Sequence, residues 1–151
     1  WKARENDFKT RFIEVAGDVN RSMPQFVYQK IIKLLNNNKK NLSGARILII
    51  GMAYKSNVPD YRESPSLEIF KLLYNDCKML EYHDDFVKNI TLDKKTFKST
   101  DLTKLGLYDL IVITTAHDYL NYRRIVKESQ LVLDTRNATK NIANKSNVVL
   151  L

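Results

Sequence analysis

Four short polar segments contain most of the side chains in this sequence that could bind a ligand or take part in catalysis. Each follows directly after an apolar run of the kind that forms a buried strand, and the four lie at residues 51–62, 83–84, 115–118 and 134–137. In an open parallel sheet, ligands bind beyond the carboxyl ends of the strands. The pattern therefore predicts a functional site built from these segments, with most of the information in the first and the last.

The first segment is typical of an anion site. It contains Lys55 and Arg62, and the predicted N-terminus of a helix at Ser64 follows closely. Both cations and a helix N-terminus attract phosphate oxygens. The alternative is that both side chains are solvated surface charges, as most Lys and Arg are. Because Gly51 is the single glycine here, the three-glycine fingerprint is missing, and complete dinucleotide binding by this domain is not expected.

The last segment contains Arg136, directly after the predicted strand at residues 131–134. A guanidinium at this position could hold a phosphate or the edge of a uracil ring through paired hydrogen bonds. The alternative is a salt bridge to Asp134. The residue types alone leave both possibilities open.

The remaining reactive side chains predict neither a nucleophile nor a metal site. Cys77 lies at the end of an apolar helix and is expected to be an inert packing residue. His83 and His117 are the two histidines and lack a cysteine cluster, so we expect hydrogen-bonded residues at strand ends. Asp84 stands where dinucleotide folds carry a ribose-binding acid, but without the glycine fingerprint it is interpreted as a loop or cap residue.

The apolar pattern around these segments predicts an α/β fold. Strand-like runs alternate with helical segments, which is typical of a Rossmann-like parallel sheet with helices on both faces. The strands are predicted at residues 46–51, 78–82, 109–115, 131–134 and 148–151, and the helices at 64–75, 101–105 and 119–128.

A long amphipathic helix is predicted ahead of this unit. Apolar side chains recur at steps of three and four over residues 10–35. Pro24 removes a backbone donor and is expected to kink or divide the helix near residues 20–23. The apolar stripe has to be buried on the following domain or on another subunit. We therefore expect a helical connector over residues 1–38 and a Rossmann-like domain over residues 39–151.

The composition is typical of a soluble globular protein. Of the 151 residues, 44% are hydrophobic and 28% are charged, and 25 basic against 17 acidic residues give a net charge of +8. This charge predicts an anionic partner. The basic residues are scattered and are not interleaved with aromatic ones, which disfavours nucleic acid. No apolar stretch approaches the roughly 20 residues that cross a bilayer. The single cysteine fits a reducing cytoplasm, and a start at Trp1 suggests a piece of a longer protein.

The first polar segment also carries a specific resemblance. Residues 51–67 have the sequence GMAYKSNVPDYRESPSL. This sequence resembles the segment G-x-A-[FY]-K-x-[ND]-x-x-D-x-R-E-S-P-[SA]-L of the UDP-glucose/GDP-mannose dehydrogenase family. Residues 1–5 and 10–20 are similar to the connector of the UDP-N-acetylhexosamine dehydrogenase branch of this family. Further matches lie at residues 82–84, 114–118 and 133–138. The resemblance therefore extends over essentially the whole chain.

The resemblance implies a reaction and a role for four residues. Enzymes of this family oxidise the C6 alcohol of a UDP-sugar to a carboxylate with two NAD, through an aldehyde and a cysteine thioester. By this resemblance, Tyr54 and Lys55 line the UDP-sugar pocket and Arg136 holds the UDP end. Arg62 reaches across an interdomain cleft to NAD. A homodimer or higher homo-oligomer, formed through the connector helix of a cytoplasmic enzyme, is also implied.

The chain departs from the family pattern in one important respect. The family's nucleophilic cysteine lies in a Gly-Gly-x-Cys segment shortly before the position of Trp1, and the GxGxxG domain and catalytic Lys, Asn and Asp are also outside this chain. We therefore expect no catalytic residue here and no activity from this chain alone. A stand-alone, non-catalytic nucleotide-binding α/β module is the alternative. A flavodoxin-like or nucleic-acid-binding domain is disfavoured by the UDP-site residues.

Overall fold

The structure, a computed structural model, describes residues 11–151 and has a parallel sheet between two layers of helices. The helices are α1 (Arg11–Asn37), α2 (Pro65–Leu73) and α3 (Tyr122–Glu128), with short 3₁₀ helices at Leu42–Gly44 and Leu105–Leu107. The strands are β1 (Arg46–Ile50), β2 (Met79–His83), β3 (Asn89–Leu92), β4 (Lys95–Lys98), β5 (Leu110–Ile113), β6 (Val132–Asp134) and β7 (Val148–Leu150).

Five of the strands form the parallel sheet in the order β2-β1-β5-β6-β7. All their carboxyl ends therefore lie at one edge. The strand order reverses between β1 and β5, and the loops after these two strands leave the sheet at this point. This confirms the predicted α/β fold class. Each of the five predicted strands is present, with its ends shifted by at most two residues.

The sheet separates two hydrophobic cores, and successive residues of β1 face them in turn. Ile47 and Ile49 lie in the core beneath α1 and α2, whereas Leu48 and Ile50 lie in the core beneath α3. All four side chains are fully buried, and burial of an aliphatic side chain contributes about 1.5–3 kcal/mol. Burial on both faces explains why the sequence of β1 is an unbroken apolar run. The end of this run determines where the following loop begins.

Helix α1 is continuous through Pro24, so the predicted division near residues 20–23 is wrong. A proline removes one backbone donor, and the turns that follow it are held by the core: Val27 and Ile31 are buried against α2. Within residues 11–151, no helix has both the length and the apolar character needed to cross a bilayer. The part of the predicted connector at residues 1–10 lies outside the described residues.

The apolar stripe of α1 divides into two faces. Its second half belongs to the core through Val27, Ile31, Leu34 and Leu35. Val15, Val19 and Phe26 point away from that core, and each is more than half exposed. These three residues, which we call the outer face of α1, are separated by four and seven residues and therefore lie along one side of the helix.

Two further features were not predicted correctly from the sequence. The antiparallel hairpin β3-β4 was missed. The short helix predicted at residues 101–105 is instead a turn followed by the 3₁₀ helix Leu105–Leu107. The reason lies in Asp101, whose carboxylate accepts the backbone N–H of Thr103 at 2.8 Å and so favours a turn over a helix.

Candidate functional site

The loop after β1 leaves the sheet through a glycine in the left-handed conformation. Gly51 has φ of +91°, which side-chain-bearing residues rarely adopt. A Cβ atom at this position would overlap with Thr115, directly after β5. The loop therefore passes closely over the end of the neighbouring strand. It ends at the predicted N-cap, where Ser64 Oγ accepts the N–H of Ser66 at 3.2 Å.

Asp84 is the hydrogen-bonding centre of this edge of the sheet. Its side chain is fully buried directly after β2. Oδ2 accepts the backbone N–H groups of Met52 and Ala53 at 2.8 and 2.9 Å, and Oδ1 accepts those of Phe86 and Val87 at 2.8 and 3.1 Å. One carboxylate thus fixes both the loop after β1 and its own loop.

His117 connects Asp84 to a third loop, the one after β5. Its Nε2 donates to Asp84 Oδ2 at 3.0 Å, and its Nδ1 accepts the backbone N–H of Asn57 at 3.0 Å. Because a backbone N–H can only donate, the ring proton is on Nε2. His83 Nδ1 similarly lies 2.6 Å from the carbonyl oxygen of Thr100. Both histidines are the hydrogen-bonded strand-end residues that the sequence predicts.

These contacts keep Asp84 ionised. Burial alone would raise the pKa of its carboxyl group, but the hydrogen bond from His117 and the N–H groups of Ala53 and Phe86 outweigh burial and lower the pKa to about 2. Hydrogen bonds to the charged form stabilise that form. Asp84 therefore carries a negative charge at neutral pH, with no free oxygen directed toward a ligand.

Further hydrogen bonds close the crevice between the ends of β1 and β5. Thr115 Oγ1 donates to the carbonyl oxygen of Ala53 at 2.6 Å, the Ser56 hydroxyl donates to the carbonyl oxygen of Ala116, and Asn57 Nδ2 donates to Asp118 at 2.7 Å. In dinucleotide folds this crevice holds the ligand. Here the chain itself fills it.

The occupied crevice does not fit a dinucleotide. A pyrophosphate needs free backbone N–H groups and close approach over glycines. In this chain the N–H groups of Met52 and Ala53 are bonded to Asp84, and Gly51 is packed against Thr115. The missing glycine fingerprint thus corresponds to a loop whose first N–H groups are already bonded within the chain.

Tyr54 and Lys55 lie at the exposed crest of this loop. The Tyr54 ring is 53% exposed, and its backbone N–H is bonded to the carbonyl oxygen of Asp60 at 2.7 Å. Lys55 Nζ lies 5.9 Å from the centre of the Tyr54 ring, within the range of a cation–π contact. The backbone of this pair is fixed, whereas the two side chains face outward and are accessible to a ligand.

Arg62 also faces outward, but in a planar ion pair. Its Nε and Nη2 atoms each donate to a different oxygen of Asp60 at 3.0 Å, and its side chain is 84% exposed. The hydrogen bonds from Arg62 lower the pKa of Asp60, and the same bonds raise the pKa of Arg62. Asp60 thus orients a guanidinium whose outer edge remains in solvent.

Arg136 is exposed, and a buried aspartate shapes its loop. Asp134, 1% exposed, accepts the backbone N–H of Arg136 at 2.9 Å and both the N–H and the hydroxyl of Thr139 at 2.8 and 2.7 Å. Asn137 adopts a left-handed φ of +54°. Within the described residues, the Arg136 guanidinium forms no salt bridge with Asp134. Its contact with that residue is through the backbone.

The two cation-bearing loops start two strands apart at one edge of the sheet. Ile50, Ile113 and Asp134 lie side by side at the ends of β1, β5 and β6. Adjacent strands are about 4.8 Å apart, so the starts of the loops after β1 and β6 are separated by roughly 10 Å. Lys and Arg side chains can bridge such a distance from two sides.

Two clefts open at the surface of the described residues. One, of about 450 Å³, is lined by residues 134–137 together with Leu150 and Leu151, and so includes Arg136. The other, of about 430 Å³, lies beside β2 and is lined by residues that include His83, Tyr119 and Arg124. None of the four predicted site residues lines this second cleft. Volumes in this range suit a small ligand.

The described residues offer no metal centre and no reactive thiol. No three His, Cys, Asp or Glu side chains among them are grouped closely enough to hold a metal ion. Cys77 is partly buried, and this burial raises the pKa of its thiol to about 11. The thiol is therefore protonated at neutral pH, in agreement with the inert role that the sequence predicts.

Comparison with known proteins gives consistent matches. The profile of the UDP-glucose/GDP-mannose dehydrogenase family, UDP binding domain, matches residues 48–141. The UDP-N-acetyl-D-mannosamine dehydrogenase of Methanocaldococcus jannaschii is 30% identical over 147 residues, which cover 91% of this chain and 32% of that protein. The UDP-glucose 6-dehydrogenase of Rickettsia bellii is 27% identical over 150 residues, with 91% and 33% covered.

A solved structure supports the same relationship. The UDP-D-ManNAc dehydrogenase from Pyrococcus horikoshii superposes with a TM-score of 0.74 at 26% identity, over 91% of this chain and 32% of that one. This chain spans about a third of the length of the relatives it matches. Because the family profile covers more than half of the chain and includes both the Lys55 loop and the Arg136 loop, the chain belongs to the UDP-glucose/GDP-mannose dehydrogenase family.

Proposed function

We propose that this chain binds the UDP end of a nucleotide sugar, as the C-terminal part of an NAD-dependent UDP-sugar 6-dehydrogenase. The intact cytoplasmic enzyme oxidises the C6 alcohol of a UDP-sugar, of the UDP-N-acetylhexosamine type, to a uronic acid. The matched relatives are named as dehydrogenases of UDP-N-acetyl-D-mannosamine and UDP-glucose, which supports a UDP-sugar as substrate. Residues 1–38 are the connector and residues 39–151 the UDP-binding domain.

The proposal rests chiefly on the placement of Lys55 and Arg136. Each is an exposed cation on a loop whose backbone is held by a buried aspartate, Asp84 or Asp134. The loops begin two strands apart at one edge of the sheet. Lys55 and Arg136 hold the diphosphate from two sides, and Tyr54 packs beside the nucleotide. Binding energy from this remote end of the substrate positions the sugar at the reacting centre.

Arg62 serves the cofactor in this proposal. NAD would supply the oxidant for this reaction, and the closed crevice over Gly51 does not fit it. The cofactor therefore belongs to the part of the proposed enzyme outside this region. Arg62, outward-facing and oriented by Asp60, reaches toward NAD across the cleft between the domains. The catalytic cysteine also lies in that missing part, so this chain alone is inactive.

The connector helix provides the subunit contact. The outer face of α1 exposes three apolar side chains that the domain core does not cover. Burial of such a face against a second copy removes apolar surface from water. We propose a homodimer, or a higher homo-oligomer, formed along this face.

Calorimetry with UDP on the purified 151-residue chain tests the binding function. Low salt favours detection because the diphosphate contacts are electrostatic and are screened by ions. We expect saturable binding of UDP, weaker binding of UMP, which lacks the second phosphate, and no NADH production from UDP-sugars and NAD. Absence of UDP binding at millimolar concentration would overturn the proposal.

A stand-alone nucleotide-binding module would give the same calorimetric result. The gene sequence upstream of Trp1 distinguishes the two functions, since an encoded GxGxxG domain and Gly-Gly-x-Cys segment belong only to the enzyme. The full-length product should then reduce NAD in the presence of a UDP-N-acetylhexosamine. A full-length product that binds UDP but reduces no NAD with any UDP-sugar would support the module.

A further inference from the structure

We infer that Asp84 and His117 are positioning residues for Lys55, holding the loop at residues 52–57 in the shape that directs this cation toward the nucleotide. The inference rests on the proposed function, in which Lys55 binds the UDP end. Neither Asp84 nor His117 contacts the Lys55 side chain. Their effect is transmitted through the backbone on the two sides of it.

The loop is anchored two residues before Lys55, at Ala53. Ala53 donates its N–H to Asp84 at 2.9 Å and accepts the Thr115 hydroxyl at 2.6 Å through its carbonyl oxygen. Both groups of the Ala53 backbone are thus bonded to buried side chains. A backbone fixed in this way cannot rotate without leaving buried polar groups unpaired, which is unfavourable.

The loop is anchored again two residues after Lys55, at Asn57. The Asn57 N–H is bonded to His117 Nδ1 at 3.0 Å, and the Asn57 side chain is bonded to Asp118 at 2.7 Å. Asn57 has a left-handed φ of +62°, a conformation that these bonds help to maintain. Lys55 therefore lies on a three-residue span between these two anchors, in which the Tyr54 N–H is bonded to the Asp60 carbonyl oxygen and the Ser56 hydroxyl to that of Ala116.

His117 links the two anchors because it uses both ring nitrogens. Nε2 donates to the carboxylate that holds Ala53, and Nδ1 accepts the N–H of Asn57. The ring is fully buried and stacks on Phe86, with ring centres 5.4 Å apart and planes inclined by 26°. Its orientation is thus fixed by packing as well as by hydrogen bonds. Loss of the Nδ1 acceptor should release the Asn57 anchor, whereas loss of the Nε2 donor leaves Ala53 bonded to Asp84.

Two conservative variants separate these roles. His117→Asn places an amide oxygen near the position of Nδ1, so it can accept the Asn57 N–H but not reach Asp84. His117→Gln places an amide nitrogen near the position of Nε2, so it can donate to Asp84 but leaves the Asn57 N–H unpaired. We expect UDP to bind roughly tenfold more weakly to His117→Gln, and within about threefold of the parent affinity to His117→Asn. If His117 had only a general structural role, the loss of UDP affinity in each variant would follow the fall in its melting temperature, whichever bond the variant keeps.

A double-mutant cycle with Lys55→Ala tests whether the effect passes through Lys55. If it does, His117→Gln weakens UDP binding strongly in the parent chain and hardly at all once Lys55 is absent. An equal effect in both backgrounds would overturn the inference and leave the proposed function intact. If Lys55→Ala binds UDP as tightly as the parent chain, the proposed function fails at this residue and the inference fails with it.

A second route covers the case in which His117→Gln does not fold. Thr115→Val removes the hydroxyl that holds the Ala53 carbonyl group while it keeps the side-chain volume. It should show the same loss of UDP affinity and the same dependence on Lys55. Additive effects of Thr115→Val and Lys55→Ala would count against a positioning role for these contacts.

Discussion

His117 Nε2 lies 3.0 Å from Asp84 Oδ2, and both side chains are fully buried. Asp84 follows β2 and His117 follows β5, so this hydrogen bond joins the two strands that flank β1. The ring donates to a carboxylate that also accepts four backbone N–H groups. The negative charge of Asp84 is thereby stabilised by hydrogen bonds from three loops.

The stability of the domain should fall in acid because of Asp84. Its pKa is about 2 in the folded chain and about 3.9 in an unfolded one. A lowered pKa contributes stability that is present above the unfolded value and is lost as the pH falls toward the folded value. The contribution is on the order of 2 kcal/mol. Urea unfolding of the parent chain and Asp84→Asn between pH 7 and pH 2 should show their free-energy difference shrinking below about pH 4.

Asp93→Asn is the matched control for this experiment. Asp93 is exposed in the turn between β3 and β4, at a φ of +47° that asparagine also tolerates. The substitution removes the same charge without removing buried hydrogen bonds. A pH profile for Asp84→Asn that runs parallel to those of Asp93→Asn and the parent chain would contradict the role assigned to Asp84.

Arg136→Ala should weaken UDP binding by ten- to a hundredfold. A charge-assisted hydrogen bond to phosphate contributes about 1.5–3 kcal/mol, and 1.4 kcal/mol corresponds to a factor of ten. Lys55→Ala should have an effect of the same size. Lys140→Ala is the control, because it removes an exposed cation four residues beyond Arg136. Titration calorimetry would reject the assignment if Arg136→Ala and Lys140→Ala bound UDP equally well.

The strands were predictable because their signal is local. β1 and β5 are buried on both faces, so their sequences are unbroken apolar runs. Ser64 and Pro65 likewise marked the start of α2, since capping requires particular residues at adjacent positions. The hairpin β3-β4 was missed because its turn, Asp93-Lys94, lacks a glycine although both residues have left-handed φ values. The buried Ile90 and Leu92, which alternate with exposed residues, were the available signal.

The central role of Asp84 was not predictable in the same way. The sequence indicated a loop or cap residue, and the bonds to Phe86 and Val87 fit that description. The bonds to Ala53 and His117 join residues more than 30 positions apart, and no local pattern reveals such partners. The exposed positions of Lys55 and Arg136 agree with what the sequence suggested, but their ligand is still a prediction.

Gly51→Ala should destabilise the domain by at least about 2 kcal/mol. The position requires a left-handed φ of +91°, which costs about 1–3 kcal/mol for a residue with a side chain, and the added methyl group would also overlap with Thr115. Gly106→Ala is the control, since a Cβ there meets only the Glu128 carbonyl oxygen at an ordinary 3.5 Å. Thermal unfolding that shows equal loss in the two variants would contradict this account of the loop.

Phe26→Lys should dissociate the proposed dimer. Phe26 is 52% exposed on the outer face of α1, where a second copy would bury it, and burial of an unpaired ammonium group is strongly unfavourable. Gln25→Lys adds the same charge at the neighbouring exposed position, on another side of the helix. Sedimentation equilibrium should give a dimer for the parent chain and for Gln25→Lys, but a monomer for Phe26→Lys. A monomeric parent chain at high micromolar concentration would count against the interface.

Arg62→Ala should weaken the binding of NAD to the proposed full-length enzyme but leave the binding of UDP almost unchanged. Asp60 already holds the Arg62 guanidinium in the plane of its carboxylate, and the exposed edge can donate to a phosphate of NAD once the N-terminal domain supplies that ligand. Loss of this contact should raise the KM for NAD about tenfold or more, since a bond between charged groups contributes about 1.5–3 kcal/mol. The affinity of the 151-residue chain for UDP should change little, because Arg62 follows the loop crest and its guanidinium is already paired. Asp60→Asn should produce a smaller rise in the same KM, as it leaves the cation in place without its carboxylate partner. If Arg62→Ala weakens UDP as strongly as Arg136→Ala does, Arg62 belongs to the substrate site and the division between the two ligands is wrong.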